Sequence, residues 1–171
     1  MKLYTMKEMT MNKIIICQGI QGSGKSTWAR NWVQEDPLHR VRWNNDDMRI
    51  LMGQYWVPSR EPLLSRIRAL FLNAAMDYGF NIVIDDMNLN PHTTEYYEVL
   101  VENYNNIHED KYTIEYRLFN TPLNVCIERD AKRENPIGAK VLTDTYTKYE
   151  KLIAELDEKY YNSETNYSQR F

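Results

Sequence analysis

The fold of this chain is decided by the stretch Gly19-Ile20-Gln21-Gly22-Ser23-Gly24-Lys25-Ser26-Thr27. Its spacing, Gly-x-x-x-x-Gly-Lys-Ser, is typical of the loop that binds the phosphates of a nucleoside triphosphate. In such a loop successive backbone N–H groups turn inward to form a concave anion site, and glycine permits both the backbone angles and the close approach. The pattern predicts that Gly22, Ser23 and Gly24 line the phosphates. It also predicts that Lys25 reaches the β- and γ-phosphates and that the Ser26 hydroxyl binds Mg²⁺.

The segments on either side of this loop support the same interpretation. Residues 12–18 form a short apolar run rich in β-branched side chains, which is typical of a buried parallel strand. Residues 26–33 are predicted to be helical, with Trp28 and Trp32 four residues apart on one face. The order of strand, glycine loop and helix favours an ATP or GTP site over a glycine-rich turn with a purely structural role.

The composition indicates one globular domain. Of the 171 residues, 43% are hydrophobic and 26% are charged, which are ordinary values for a soluble protein. No apolar run approaches the ~18 residues of a membrane span, and the amino terminus lacks the apolar core of a signal peptide. We therefore expect a cytoplasmic protein with no membrane partner and with reduced cysteines. The expected organisation is a flexible leader over residues 1–12, a P-loop domain over 13–158 and a polar, fraying tail over 159–171.

The charge of the chain gives a weaker indication. The net charge of −3 argues weakly against nucleic acid, because proteins that bind it usually present a basic surface. Between residues 37 and 68, however, three acids stand against six arginines, which are Arg40, Arg42, Arg49, Arg60, Arg66 and Arg68. This excess predicts a positive face on an acidic protein, although solvated helix faces explain it equally well.

The rest of the chain alternates between strand and helix patterns. Strands are predicted over residues 39–44, 80–86 and 111–119, the last of them nearer a sheet edge, and helices over 48–52, 59–78, 91–104, 123–132 and from about 139. The helix over 59–78 is predicted to carry one apolar face made of Leu63, Ile67, Leu70, Phe71, Ala74 and Tyr78. This alternation indicates an α/β fold of the P-loop NTPase type, with three layers and a central, mostly parallel sheet between helices.

Polar residues follow the ends of three predicted strands. The glycine loop follows the first strand, Asp46-Asp47 follows the second and Asp85-Asp86 follows the third. In open parallel sheets the ligand lies beyond the carboxyl ends of the strands. These three features are therefore predicted to meet at one edge of the sheet.

Asp85 and Asp86 end an apolar strand, which is the position of the carboxylate that holds Mg²⁺ in such folds. Because side chains alternate along a strand, only one of the two is expected to face the nucleotide, and the pattern does not choose between them. The alternative role for this pair is an amino-terminal cap of the next helix.

Asp46 and Asp47 stand where a general base could accept the proton of an acceptor hydroxyl. Arg49 follows within the same helical turn and could hold an anion beside that carboxylate. The alternative is a helix cap with an incidental ion pair. The basic run over residues 129–133 is a candidate helical lid over the transferring phosphate, with a solvated helix end as the alternative.

Four motifs follow one another along this chain. They are Gly-x-x-Gly-Ser-Gly-Lys-Ser-Thr-Trp-Ala-Arg (19–30), Asn-x-Asp-Asp-x-Arg (44–49), Asp-x-Asn-Leu-Asn-Pro (86–91) and Arg-x-x-Lys-Arg (129–133). Together they closely resemble the kinase domain of the bacteriophage polynucleotide 5′-kinase/3′-phosphatase family, over residues 13–156. The resemblance implies an ATP- and Mg²⁺-dependent kinase that phosphorylates 5′-hydroxyl ends of DNA or RNA in end repair.

The resemblance also implies roles on the acceptor side of the site. Asp46 would be the general base on the 5′-hydroxyl, and Arg49 would bind the phosphate next to the terminal nucleoside. Asp86 would match the family's aspartate at this strand end, in preference to Asp85.

On the donor side, the resemblance places three residues around the β- and γ-phosphates, namely Lys25, Ser26 and Arg133, with Thr27 nearby. Arg129 would match a lid arginine of the family.

The chain departs from the family at several points. Asn45 stands where a basic residue is expected, and neither an Asp-x-Asp phosphatase motif nor a Lys-x-Asp-Gly ligase motif occurs. We therefore expect a stand-alone kinase, with any ligase or phosphatase as a separate partner. A P-loop kinase acting on a nucleoside, sugar or sugar nucleotide is the alternative for which the acidic net charge leaves room, and a nucleotide-dependent switch or toxin-like module is a third. The sequence leaves open the choice between DNA and RNA, the nucleotide donor and the oligomeric state.

Overall fold

The fold is described by a computed structural model for residues 11–168, with side chains through Tyr160. The strands are β1 (Asn12–Gln18), β2 (Arg40–Trp43), β3 (Asn81–Ile84) and β4 (Tyr112–Leu118). The helices are α1 (Lys25–Glu35), α2 (Asn45–Leu51), α3 (Glu61–Asp77), α4 (Pro91–Ile107), α5 (Leu123–Ala131) and α6 (Ala139–Ser168), with a 3₁₀ turn at Pro58–Arg60. Residues 1–10 of the predicted leader and residues 169–171 of the predicted tail lie outside the described residues.

The described strands form one parallel sheet in the order β2-β3-β1-β4. Ile15 in β1 is paired with Val83 in β3 on one side and with Glu115 in β4 on the other. Parallel neighbours need crossover connections, which the helices supply. The expected position of residues 111–119 nearer a sheet edge agrees with this order, because β4 is the last strand of the described sheet.

The side chains of β1 and β3 alternate between two apolar cores on opposite faces of the sheet. The core beneath α3 and α4 contains Ile14, Ile16, Ile82, Ile84, Leu72, Met76, Tyr97 and Val101. The core beneath α1 contains Ile15, Cys17, Val83, Ala29 and Trp32. A third cluster joins the glycine loop to α5 and α6 and contains Ile20, Leu89, Cys126, Leu142 and Ile153. Helices thus cover both faces, which accounts for the nearly continuous apolar strands.

The buried face of α3 differs from the predicted one. Ile67 and Phe71 pack against the core as expected, but Leu63, Leu70 and Tyr78 are exposed. The fully or nearly fully buried side chains of this helix are instead Leu64, Leu72, Ala75 and Met76. The helix is apolar around most of its circumference, so its sequence periodicity does not determine which stripe meets the sheet.

Two helix boundaries also differ from the predictions. α2 begins at Asn45 rather than at residue 48, because the Asn44 side chain caps it by accepting a hydrogen bond from the Asp47 N–H at 2.9 Å. α6 continues to Ser168, so the helix extends through most of the predicted tail. Within residues 11–168, no helix is both long and apolar enough to cross a membrane.

The position of α3 on the sheet predicts unequal costs for two neighbouring leucines. Leu72→Ala should lower the free energy of unfolding by about 2–5 kcal/mol, because Leu72 is fully buried and its loss leaves a cavity. Leu70→Ala is the matched control, since Leu70 is 58% exposed, and it should change the free energy by no more than about 0.5 kcal/mol. Urea unfolding of both variants measures the difference, and equal losses would contradict this orientation of α3.

Candidate active site

The phosphate-binding loop joins the end of β1 to the start of α1. Gly22 and Gly24 have φ values of 79° and 102°, which lie in the left-handed region that glycine adopts without strain. A Cβ atom at Gly22 would lie 2.5 Å from the carbonyl oxygen of Cys126, so α5 approaches the loop backbone directly. Gly24 precedes the first turn of α1, and the partial positive charge of that helix end therefore adds to the anion site.

The Lys25 side chain lies beneath the loop and is 8% exposed. Its ammonium donates hydrogen bonds to the carbonyl oxygens of Gly19 at 2.8 Å and Ile20 at 2.7 Å. Burial lowers the pKa of this ammonium to about 8, and the nearby Asp85 carboxylate acts in the opposite direction. Lys25 is therefore charged at neutral pH, next to the loop that would bind phosphates.

Asp85 is the carboxylate that meets the loop. Its Oδ1 atom accepts a hydrogen bond from the Ser26 hydroxyl at 3.2 Å. Its Oδ2 atom accepts from Arg42, with distances of 2.8 Å to Nε and 2.6 Å to Nη2. Arg42 also donates to Asp47 at the start of α2. Ser26 and Oδ1 of Asp85 therefore stand side by side as oxygen ligands, while Arg42 neutralises the buried charge.

Asp86 is turned away from Ser26, toward the start of α2. Its Oδ1 atom accepts from the backbone N–H of Asn45 at 2.9 Å, and the Asn44 amide lies 3.5 Å away. Its Oδ2 atom is buried without a hydrogen-bond partner among the described residues. Burial raises the pKa of Asp86 to about 6. This arrangement departs from the preference for Asp86, implied by the resemblance, because the alternation of β3 places Asp85 beside the loop.

An ion-pair network joins α2 to α3 and consists of Asp46, Arg49 and Glu61. Nη1 of Arg49 lies 2.7 Å from Asp46, whose side chain is half exposed. Nε and Nη2 of the same guanidinium contact both oxygens of Glu61 at 2.9 and 2.7 Å. Hydrogen bonds from Arg49 lower the pKa of Glu61. The guanidinium thus orients the Asp46 carboxylate and is itself fixed by α3.

Of the two predicted lid arginines, Arg129 contacts the loop and Arg133 lines the same cavity as the loop. Nη1 of Arg129 is 3.3 Å from the carbonyl oxygen of Gly22 and 3.4 Å from that of Ser23. Arg133 is about half exposed and its Nη1 atom lies 3.5 Å from Asp130. The other carboxylate oxygen of the buried Asp130 accepts from the Gly138 N–H at 2.9 Å. Asp130 therefore connects the end of α5 to the turn that precedes α6.

One cavity of about 1090 Å³ unites these groups. Every residue assigned to the site from the sequence lines it, namely Gly22, Ser23, Gly24, Lys25, Ser26, Thr27, Asp46, Arg49, Asp85, Asp86, Arg129 and Arg133. We call the part formed by Asn45, Asp46, Arg49, Tyr55 and Arg68 the α2–α3 wall. The cavity can therefore hold a nucleotide on the loop and a second molecule at the α2–α3 wall.

Several polar residues of the site were not assigned from the sequence. Arg42, Arg68 and Glu61 entered only in the count of charges over residues 37–68, and Tyr55 did not enter at all. The alternation of β2 could have directed attention to Arg42, because a charged side chain on the covered face of a short strand needs a partner. Glu61 is 12 residues from Arg49, and no local pattern predicts that contact.

The fold and the site define a P-loop phosphotransferase of the kinase type. The sequence matches the family described as "AAA domain" over residues 14–152, and the chain belongs to that family. It is also 27% identical, over 166 residues, to a protein of Autographa californica nuclear polyhedrosis virus named "Putative bifunctional polynucleotide kinase/RNA ligase". That match covers 86% of this chain and 22% of the viral protein, so the chain spans about a fifth of this relative's length.

Solved structures show the same fold. A chain of the Pnkp1/Rnl/Hen1 RNA repair complex superposes with a TM-score of 0.69 at 23% identity, over 82% of this chain and 44% of that one. The APS kinase CysC of Mycobacterium tuberculosis, in complex with AMPPNP and APS, superposes with a TM-score of 0.54 at 16% identity, over 71% and 70%. The predicted three-layer P-loop fold and the resemblance to a polynucleotide kinase domain are confirmed.

The Arg42–Asp85 pair predicts a large loss of stability when its cation is removed. Arg42→Ala should lower the free energy of unfolding by about 3–5 kcal/mol, because it leaves a buried carboxylate without its partner. Lys13→Ala, on strand β1 of the same sheet, should cost about 1 kcal/mol or less because both Lys13 and its partner Glu115 are partly exposed. Urea unfolding with EDTA present measures both variants, and similar losses would show that Asp85 does not depend on Arg42.

The raised pKa of Asp86 predicts a pH-dependent stability difference between the protein and Asp86→Asn. The folded pKa of about 6 lies above the unfolded value of about 4, so burial of the charged carboxylate destabilises the fold increasingly as pH rises through this interval. The neutral amide keeps an oxygen for the Asn45 N–H but has no such penalty. In EDTA, the free energy of unfolding of the variant should gain on the order of 2 kcal/mol over that of the unaltered protein between pH 4 and pH 7. A difference that stays constant over this range would contradict the assignment.

Proposed function

We propose that this chain is an ATP-dependent 5′-hydroxyl polynucleotide kinase, which transfers the γ-phosphate of ATP to the 5′-hydroxyl end of DNA or RNA. The observation that carries this proposal is the position of Asp46, whose carboxylate is half exposed in the same cavity as the phosphate-binding loop and lies 2.7 Å from Arg49. The name of the viral relative and the RNA repair complexes among the structural neighbours support a polynucleotide as the acceptor.

In the proposed reaction, the Asp46 carboxylate accepts the proton of the 5′-hydroxyl. The hydroxyl oxygen forms a bond to the γ-phosphorus, the bond from that phosphorus to the β–γ bridging oxygen breaks, and ADP leaves. Arg49 orients the carboxylate for this step, and Glu61 holds Arg49 in place from α3. The products are a 5′-phosphate end and ADP.

The donor side supplies positive charge around the transferring group. Lys25, Arg129 and Arg133 line the same cavity as the loop, so these three cations would offset the charge that develops on the phosphate oxygens. This role for the lid arginines rests on their place in the cavity and on the resemblance.

The Ser26 hydroxyl and Oδ1 of Asp85 fit an Mg²⁺ site. One hydroxyl and one carboxylate are the protein ligands that Mg²⁺ commonly uses beside nucleotide phosphates and water. The described residues hold no group of three or more His, Cys, Asp or Glu side chains able to bind a metal, in keeping with a site completed by the nucleotide. The metal would offset the charge of the β- and γ-phosphates, and Arg42 would keep the Asp85 carboxylate oriented toward Ser26.

The proposed product suggests what acts with this enzyme and where. A 5′-phosphate end is the substrate of a nucleic-acid ligase, so we propose a ligase, or a phosphatase that prepares the opposite end, as a partner. Cys17 and Cys126 are free and buried, which supports a reducing compartment such as the cytoplasm. A small-molecule kinase is the second candidate, because the net charge is −3 and the fold also matches that of the APS kinase CysC in complex with AMPPNP and APS.

Transfer of labelled γ-phosphate from ATP to a 5′-hydroxyl oligonucleotide tests the proposal. With Mg²⁺ present, transfer to the oligonucleotide should exceed transfer to a panel of nucleosides and sugars. Asp46→Asn should reduce the rate ~10²-fold or more, because the amide cannot accept the proton. Asp47→Asn is the matched control, since this neighbouring carboxylate does not line the cavity, and it should keep the rate within about tenfold.

Three results would count against this function. Transfer to a small molecule but not to strands would favour the second candidate. An Asp46→Asn variant as active as the control would remove the assigned base. ATP hydrolysis that responds to neither kind of acceptor would favour a nucleotide-dependent switch.

A further inference from the structure

Arg68 is a cation of the α2–α3 wall that the reaction described above does not use. It lies on α3 and is partly buried, and it lines the same cavity as Asp46 and Arg49. It acts on two carboxylates of this region, because its charge lowers the pKa of Glu61 in addition to the larger effect of Arg49 and opposes the effect of burial on the pKa of Asp86. Its position therefore belongs to the acceptor part of the cavity.

The guanidinium of Arg68 is held by aromatic rings rather than by a carboxylate. Its central carbon lies 5.0 Å from the ring centroid of Tyr96 and 5.6 Å from that of Tyr97, both on α4. Such stacking fixes the plane of a guanidinium and leaves its N–H groups free along the edge. Among the side chains described through Tyr160, Arg68 has no carboxylate within ion-pair distance.

Buried donors at this point lack acceptors. The Nε atom of Arg68 and the hydroxyl of Tyr97 are both buried with no well-aligned hydrogen-bond partner among the described residues. Burial raises the pKa of the Tyr97 hydroxyl, although Arg68 lies close enough to its oxygen to act in the opposite direction. Buried polar atoms are rarely left unpaired, and such a pair calls for a bound group that accepts hydrogen bonds. Oδ2 of Asp86 is buried and unpaired as well, so a water molecule shared with that carboxylate is the competing explanation.

The other cations of the cavity differ from Arg68 in this respect. Nε and Nη2 of Arg49 donate to Glu61, and Nη1 donates to Asp46. Arg129 donates to loop carbonyls and Arg133 lies near Asp130. An incoming phosphate must displace a carboxylate to reach Arg49, whereas the Nε–H edge of Arg68 has no such competitor.

We propose that Arg68 binds a backbone phosphate of the acceptor strand, through its Nε–H and a neighbouring N–H. This inference rests on the proposed polynucleotide kinase function. A phosphodiester offers two oxygens in a geometry that matches these two donors. Arg68 would then distinguish a strand from a free nucleoside, since only the strand carries a phosphate beyond the terminal nucleoside.

The test is the binding of a fluorescent, single-stranded 5′-hydroxyl oligonucleotide to the full chain, followed by anisotropy over a range of salt concentrations. Arg68→Gln should weaken binding about 10- to 100-fold, the effect of losing a hydrogen-bonded charge. It should also reduce the slope of log K against log salt by about 0.7, the value for one phosphate of a single strand. Arg66→Gln is the matched control, because Arg66 is an exposed arginine on the same helix, and it should leave both quantities unchanged.

Steady-state kinetics supply the second readout. Arg68→Gln should raise KM for the oligonucleotide while leaving kcat and KM for ATP within about twofold, because its loss removes binding made equally in the ground and transition states. KM for a nucleoside without phosphate should not change. Arg68→Lys keeps the charge, so it should restore the salt slope but only part of the affinity. Thermal unfolding identifies any variant that fails to fold. If Arg68→Gln does not fold, the salt slope and the strand affinity of Arg68→Lys test the assignment instead.

The outcomes separate this inference from the function on which it rests. If the unaltered protein neither binds nor phosphorylates strands, the polynucleotide kinase assignment fails and the Arg68 assignment fails with it. If the unaltered protein does both but Arg68→Gln behaves like Arg66→Gln, only the Arg68 assignment is overturned. A change in stability with unchanged strand affinity would likewise overturn it, in favour of the shared water with Asp86.

Discussion

The site depends on one buried charge, the carboxylate of Asp85. It has no exposed surface and lies between the Ser26 hydroxyl of the phosphate loop and the guanidinium of Arg42. A buried carboxylate is very unfavourable unless it is paired, so these contacts constrain the elements that supply them. Because Arg42 also binds Asp47, the same charge fixes the loop, strand β2 and the first turn of α2 relative to one another.

Cations and carboxylates are distributed unevenly around the cavity. Near the loop, Lys25 and Arg129 contact backbone carbonyl oxygens, so their charge remains available to an anion. Along the α2–α3 wall, Arg49 is neutralised by two carboxylates, whereas none of the carboxylates described through Tyr160 pairs with Arg68. The local charge around the cavity therefore differs from what the net charge of −3 suggests.

The sequence by itself determined the fold and the edge of the sheet at which the assigned residues meet. A glycine loop between an apolar strand and a helix has few structural solutions, and strands that alternate with helices form a parallel sheet. The carboxyl ends of parallel strands lie at one edge, so residues after three separate strands had to meet there. This is why loop residues such as Lys25, and Asp46 and Asp86 far along the chain, line one cavity with the two lid arginines.

Only the tertiary structure decided which side chains face one another. Asp85 rather than Asp86 lies beside Ser26 because of which face of β3 packs on α1. The alternation of side chains along a strand shows from the sequence that the two aspartates point to opposite faces, but it does not show which face meets α1. The contact of Arg49 with Glu61 and the stacking of Arg68 on α4 join residues that are distant in sequence. The stripe of α3 that is buried was likewise fixed by the shape of the sheet, because a helix that is apolar on several sides can pack in more than one rotation.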